Sequence, residues 1–259
     1  MKRRKDNSVQ ESLRPRLLLI VFTAVFTVAL IASLPASMIG LALGGTGVSY
    51  QKIEGTIWRG VVRNAGAQGI YIGDIDYRIN PLRLLTGAAG AKLQFNGGAV
   101  DGDLNVTAGL GGLSVANSEL TAQLSVIKRY RLMGAPFSGR AVVSMDRLRL
   151  TKNGCRRGEG ALWTDALNAP AKQFDRSGVE LQGPVRCEDN DLVLALAGVS
   201  DDGNLDILIR IKPDLRYDMT VTVAGAAPET RDTLKAFGFE EANGALVLGS
   251  IGVLQGVGS

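Results

Sequence analysis

The sequence has no histidine, only two cysteines, and few aromatic residues, 5% of 259. Without histidine there is no Ser-His-Asp or Cys-His nucleophile system, and no His-ligated zinc, haem or non-haem iron. There is no Gly-x-x-x-x-Gly-Lys-Ser/Thr phosphate loop and no Gly-x-Ser-x-Gly elbow. The body of the chain also lacks a surplus of basic charge. Six of the 29 basic residues (Lys2, Arg3, Arg4, Lys5, Arg14, Arg16) and two of the 25 acidic ones fall in the first sixteen positions. The remaining 23 of each sign cancel, so the net charge of +4 belongs to a short tail. A nucleic-acid-binding domain needs basic residues clustered on the fold itself, and none is expected here. Nor is any catalytic residue, metal, cofactor or small-molecule substrate.

What is present begins with an uncharged run from Leu17 to Gln51. Its apolar part, 17–43, exceeds the roughly 20 residues that cross a bilayer core. The basic tail before it predicts a transmembrane helix with a cytoplasmic N-terminus, by the positive-inside rule. The rival reading is a cleaved signal peptide. Leu34 and Pro35 sit badly for cleavage near Ala32–Ser37, and the run before Ala42-Leu43-Gly44 is long for a signal, so an uncleaved anchor is favoured. Pro35 is expected to kink the helix or to mark the end of a shorter one.

The body, 44–259, reads as β. Apolar residues alternate in Ile75, Tyr77, Ile79; in Leu120, Ala122, Leu124, Val126; in Val179, Leu181; and in Leu192, Leu194, Leu196. The clearest alternations are Leu205, Ile207, Ile209, Ile211 and Leu215, Tyr217, Met219, Val221, Val223. Period two puts one face on a core and the other in water. Turns are predicted at Asn96-Gly97-Gly98, Asp101-Gly102, Asn153-Gly154, Asp202-Gly203-Asn204, Lys212-Pro213-Asp214 and Asn243-Gly244. Glycine, at 33 residues, is well above its usual share. One later segment, Pro228 to Phe237, carries helix start signals and stops at Gly238.

The fold class expected is therefore mainly β. One N-terminal transmembrane helix leads into a curved, largely antiparallel meander, a groove-like sheet, with one short helix near the C-terminus. A closed barrel and a sandwich stay open. The divisions expected are a basic tail 1–16, a span 17–43 and one β-rich unit 44–259. Gly55-Thr56-Ile57-Trp58 and Gly160-Ala161-Leu162-Trp163 raise the idea of two similar halves, about 50–150 and 151–259.

Chemistry is sparse. Ser-x-x-Lys occurs at Ser49–Lys52 and Ser125–Lys128 without companion motifs. The acidic groups Glu188-Asp189-Asn190-Asp191 and Asp201-Asp202-Gly203-Asn204 lie between strands, where Asp, Asn and Gly make turns; calcium is the weaker reading. Lys128-Arg129-Tyr130-Arg131 reads as a solvated loop, or more sharply as a partner or lipid-headgroup contact through Lys128, Arg129 and Arg131. If the body lies outside the cytoplasm, Cys155 and Cys187 are expected to form a structural disulfide. Two buried free thiols are the alternative.

A basic start and an apolar run lead to Glu54-Gly55-Thr56-Ile57-Trp58-Arg59-Gly60. Cys155, then Gly160-Ala161-Leu162-Trp163-Thr164-Asp165, then Cys187 follow, and the end reads Gly238-Phe239 and Asn243-Gly244-Ala245-Leu246. This pattern resembles the type II secretion system protein N family, with Gly55, Thr56, Trp58, Gly60, Trp163 and Asp165 as the motif residues. The resemblance implies a single-pass protein of the bacterial inner membrane with its β domain in the periplasm. It also implies a part in exporting folded proteins, beside other subunits of the machine (the inner-membrane platform or the secretin). A lipid-handling β-groove protein is the competing reading. The feature expected to separate them is whether Ile207, Ile209, Leu215, Tyr217 and Val221 are capped by a second sheet or line an open trough.

Overall fold

The computed structural model describes residues 8–43, 47–67, 70–126, 131–132, 135–136, 138–173, 176–201 and 203–253. Lys2, Arg3, Arg4, Lys5, Lys128, Arg129 and Asp202 lie outside them. Helix α1 (Ser8–Ala32) is followed by α2 (Ser37–Leu43). The strands follow: β1 (Val48–Ser49), β2 (Lys52–Thr56), β3 (Arg59–Ala67), β4 (Ile70–Asn80), the single turn α3 (Pro81–Leu84), β5 (Ala88–Asn96), β6 (Val100–Gly109) and β7 (Gly112–Gln123). After a 3-10 turn come the short pair β8 (Arg131–Leu132) and β9 (Ala135–Pro136), then β10 (Arg140–Thr151) and β11 (Gly154–Thr164). Helix α4 (Asn168–Gln173) precedes β12 (Leu181–Glu188), β13 (Asp191–Ser200), β14 (Gly203–Ile211) and β15 (Arg216–Ala224). Helix α5 (Pro228–Ala236), β16 (Glu240–Ala242) and β17 (Ala245–Val253) complete the order.

Fifteen strands form one antiparallel sheet in nearly sequential order, β1-β3-β4-β5-β6-β7-β10-β11-β12-β13-β14-β15-β17-β16, with β2 also on β3. The path is open: β1 and β16 end it and do not pair among the described residues. The meander is as expected, and the barrel and sandwich alternatives fall away.

One apolar face runs across the whole sheet. Registers align Ile53 with Val62, Val62 with Ile75, Ile75 with Phe95, and Tyr77 with Leu93. Beyond, Leu93 meets Leu104, Leu120 meets Val143, and Val143 meets Leu162. The row continues through Val185, Leu194, Ile209 and Met219. Local lids cover it in three places. Ala36, beside Ile39, packs on Val62, Ala65 and Tyr77. Leu167 joins Val179, Leu181 and Leu196. Leu234 of α5, with Ala226 and Phe239, packs on Leu246. Each fully buried aliphatic side chain contributes about 1.5–3 kcal/mol, so these lids hold the sheet where they lie.

The expected single span 17–43 is two elements. Helix α1 stops at Ala32, and Pro35, which has no N–H, bridges to Thr56 of β2 instead of extending the helix. Among the described residues no helix is long and apolar enough to cross a membrane. Three other expectations change. Asp101-Gly102 lies inside β6, where Gly102 at φ +130° makes room for the Glu119 carbonyl of β7. Leu215 sits in the β14–β15 turn at φ +64°, off the apolar face. Leu124 and Val126 form a 3-10 turn, because β7 ends at Gln123.

Candidate functional site: the helix–sheet junction

The segment Gly55–Gly60 forms the tip of the β2–β3 hairpin, with Thr56 opposite Arg59 and a two-residue turn, Ile57–Trp58, between them. Gly55 holds φ +106°, which favours glycine, and a Cβ there would lie 2.5 Å from the Arg59 carbonyl. Thr56 Oγ1 accepts the Trp58 N–H at 3.3 Å, a local turn bond. Gly60 leaves space for Tyr77 of β4: a Cβ would overlap the Glu54 carbonyl and lie 2.6 Å from Tyr77 Oη. Tyr77, 5% exposed, donates its hydroxyl to the Thr56 carbonyl at 2.7 Å. Burial pushes its phenol pKa up.

This tip grips the end of α1. Trp58 Nε1–H donates to the Ile31 carbonyl at 2.9 Å, satisfying one of the acceptors that a helix end leaves open. The Ile57 N–H donates to the Leu34 carbonyl at 3.0 Å, and the Ala36 N–H to the Gly55 carbonyl at 3.1 Å. The chain leaving the helix thus pairs with the hairpin at once. Below the tip, Glu54 accepts from Lys52 (2.8 Å) and Arg63 (3.5 Å), and Arg63 reaches Asp74 at 2.6 Å. The Lys52 ammonium holds the Glu54 carboxyl below its usual range. The Asn64 N–H, and then Arg63, do the same for Asp74.

The second Trp element lies elsewhere. Trp163 is near the end of β11; its Nε1–H donates to Glu180 at 3.2 Å, and the Arg140 guanidinium stacks 5.7 Å from the ring. Asp165 accepts the Arg140 N–H, and Thr164 Oγ1 donates to the Arg140 carbonyl at 2.8 Å. These residues fasten the start of β10 to the end of β11. At the opposite end of β11, Cys155 and Cys187 form a disulfide with Cα atoms 5.4 Å apart. The β11–β12 ladder runs from Glu159–Arg186 to Thr164–Leu181, so the bond ties the strands where backbone pairing has ended.

The family model for type II secretion system (T2SS), protein N, matches residues 46–249. The chain belongs to this family. It is thus a type II secretion component, and its membership implies interaction with other components of that machine. No curated protein and no solved structure matches it. The protein N match takes in both Trp elements, the disulfide and the sheet as far as β17, and leaves α1 and α2 outside.

The other singled-out residues of this protein N chain scatter. Arg14 and Arg16 fall on α1 and Arg131 on β8. Ser49 donates to the Gly66 carbonyl at 3.3 Å while Lys52 pairs with Glu54. Glu188 bonds Arg186 and Arg210, which hold its carboxyl pKa down, Arg186 foremost. Asp189 and Asn190 take positive φ in the β12–β13 turn, as the turn reading of that acidic group implies. Sequence reasoning named Tyr77 only as an alternating strand residue and Leu34 only in weighing cleavage, and it did not name Arg140. The signal for Tyr77 was a bulky inward residue in register with a strand glycine. The other two act through backbone atoms or from a neighbouring strand, which no local pattern encodes.

Proposed function

We propose that this protein N chain is a non-catalytic, single-pass protein of the bacterial inner membrane. Its N-terminus is cytoplasmic and its β domain periplasmic. It supports assembly or operation of the machine that exports folded proteins across the outer membrane, through its inner-membrane platform or secretin. The observation that carries this is the junction, which fastens an apolar helix directly to a β sheet. Sixteen uncharged residues, Leu17–Ala32, follow the basic tail, and their described side chains are exposed. Trp58 caps the outer end of the run, where membrane proteins place Trp. The disulfide suits an oxidising compartment.

The docking edge is β17. Beyond its pairing with β16, residues Leu248–Val253 have no strand on that side among the described residues, and Ile251 is exposed. An added strand from a partner would satisfy those backbone groups. A photo-crosslinker at Ile251 in a secreting host tests this. Capture of a platform or secretin subunit, with export lost on deletion, supports the reading. Intact export without the protein, and no such adduct, overturns it.

A second reading has its own observation. Ile209 and Tyr217 are only half-buried, and no second sheet covers them among the described residues, while Ile207 and Val221 beside them pack at the edges of the Leu167 and α5 lids. A groove that holds acyl chains would look the same. Lipid co-purifying with the chain, absent after Ile209→Glu, would favour that reading.

A further inference from the structure

The antiparallel meander sorts its connections to two ends. The end that holds α1 carries the tips Ile57–Trp58, 81–87, 110–111, 152–153, 189–190 and 212–215. The three tips nearest α1 are unusually apolar. Leu82 is 71% exposed, Leu85 84% and Leu110 104%, with Leu84 also exposed. Outside α1, every exposed leucine among the described residues lies at this end except Leu208. Water-facing leucines at hairpin tips normally cost solubility, and here they cluster on one rim.

Basic residues back them. Arg59, Arg78 and Lys92 are direct cross-strand partners on one face. Like charges placed opposite one another are unfavourable without an anion to share. Lys92 pairs with Asp103 at 3.6 Å, whereas neither Arg59 nor Arg78 has an ion-pair partner among the described residues. From Tyr77 to Lys92 there are three basic residues and no acidic one. Arg59 opens β3 and Arg78 lies two residues before the end of β4, so both sit within about 7 Å of the tips along the strand. Arg83, inside the second tip, crosses Gly90 and donates to Thr107 at 2.7 Å, holding that tip in place.

We propose that this rim is a second membrane contact. Leu82, Leu84, Leu85 and Leu110 enter the outer interfacial region of the same bilayer, and Arg59 and Arg78 meet lipid phosphates. Apolar tips flanked by cations are the pattern of surface-inserting segments, and each cation near an anionic leaflet adds to binding. The proposal rests on the anchoring of α1 in that membrane, because the Trp58 junction is what sets the rim at the level where α1 emerges.

The test uses the full chain in vesicles of phosphatidylethanolamine and phosphatidylglycerol. An environment-sensitive dye is placed in turn at Leu85→Cys, Leu110→Cys, Phe22→Cys on α1, and Asp232→Cys on α5 at the opposite end. Brominated lipid is the quencher. Loss of emission at positions 85 and 110 comparable with that at 22, and none at 232, is the expected result. Quenching at 22 without quenching at 85 and 110 removes the rim contact and leaves the anchor standing. No quenching at 22 overturns the anchor and the rim with it.

Discussion

Trp58 and Trp163 each follow a glycine by three positions, yet their indoles reach different partners. Trp58 donates to a carbonyl of α1, outside the sheet, while Trp163 donates to Glu180 and lies under Arg140, inside it. Their glycines differ too. Gly55 holds a positive φ at a hairpin tip; Gly160 clears space for Met145 in mid-strand, where a Cβ would lie 2.7 Å from Sδ. A shared short spelling therefore does not mark a shared place. One element joins two parts of the molecule, and the other closes a seam within one part.

This contrast can be broken at several points. The largest effect is expected at the end of β11 opposite Trp163: removing the disulfide by Cys155→Ser with Cys187→Ser should cost about 3–4 kcal/mol for a loop of this size. Thermal unfolding of the full chain, oxidised against reduced, measures it. Equal stability would mean that the β11–β12 ladder needs no tie. Next comes Gly60→Ala, which drives a Cβ into the Glu54 carbonyl and Tyr77. A cost of about 1–3 kcal/mol is expected, the range for overpacking, again by thermal unfolding. Trp58→Phe keeps most of the ring and loses the donor. About 1 kcal/mol should go, with faster hydrogen exchange at the Ala36 and Ile57 amides, whereas Trp163→Phe should leave those amides unchanged. If both variants speed exchange there, the two elements are not distinct.

The smallest effect concerns acid. Glu54 and Asp74 have lowered pKa values beside the junction, so their ionised forms stabilise the fold. That contribution is present above the usual carboxylate range, near pH 4, and is lost as pH falls through the lower folded values. Both groups are solvent-exposed, so the change should be slight. Emission of Trp58, read in the Trp163→Phe protein, should stay constant from neutral pH to about 5 and shift only below 4.

Much of the sheet was legible because strand patterning is local. Leu205 to Ile211 and Tyr217 to Val223 became β14 and β15 as their alternation predicts. Pro228 opens α5, and Gly238, at φ +92°, follows its end. What was not legible depends on contacts between distant residues. Pro35 marked where the apolar run could end in a shorter helix, as it does after Ala32, but nothing within the run shows that Leu34 and Ala36 pair with Ile57 and Gly55. Asp101-Gly102 resembles a turn by composition, but the glycine answers to Glu119 on the neighbouring strand. The motif Gly-Thr-x-Trp-x-Gly was visible as a motif. Its job became clear only with Tyr77 and Ile31 beside it.

The junction leaves no slack. Between Ala32 and Ala36 the described residues leave no free tether, since Leu34, Pro35 and Ala36 are already bonded to the hairpin they precede. The sheet therefore behaves as a lever clamped at one end. A force on its far edge is felt by α1 as torque, not absorbed by a loose leash. Its reach along the strands is set as well: β10, at twelve residues, extends about 40 Å from the clamped end.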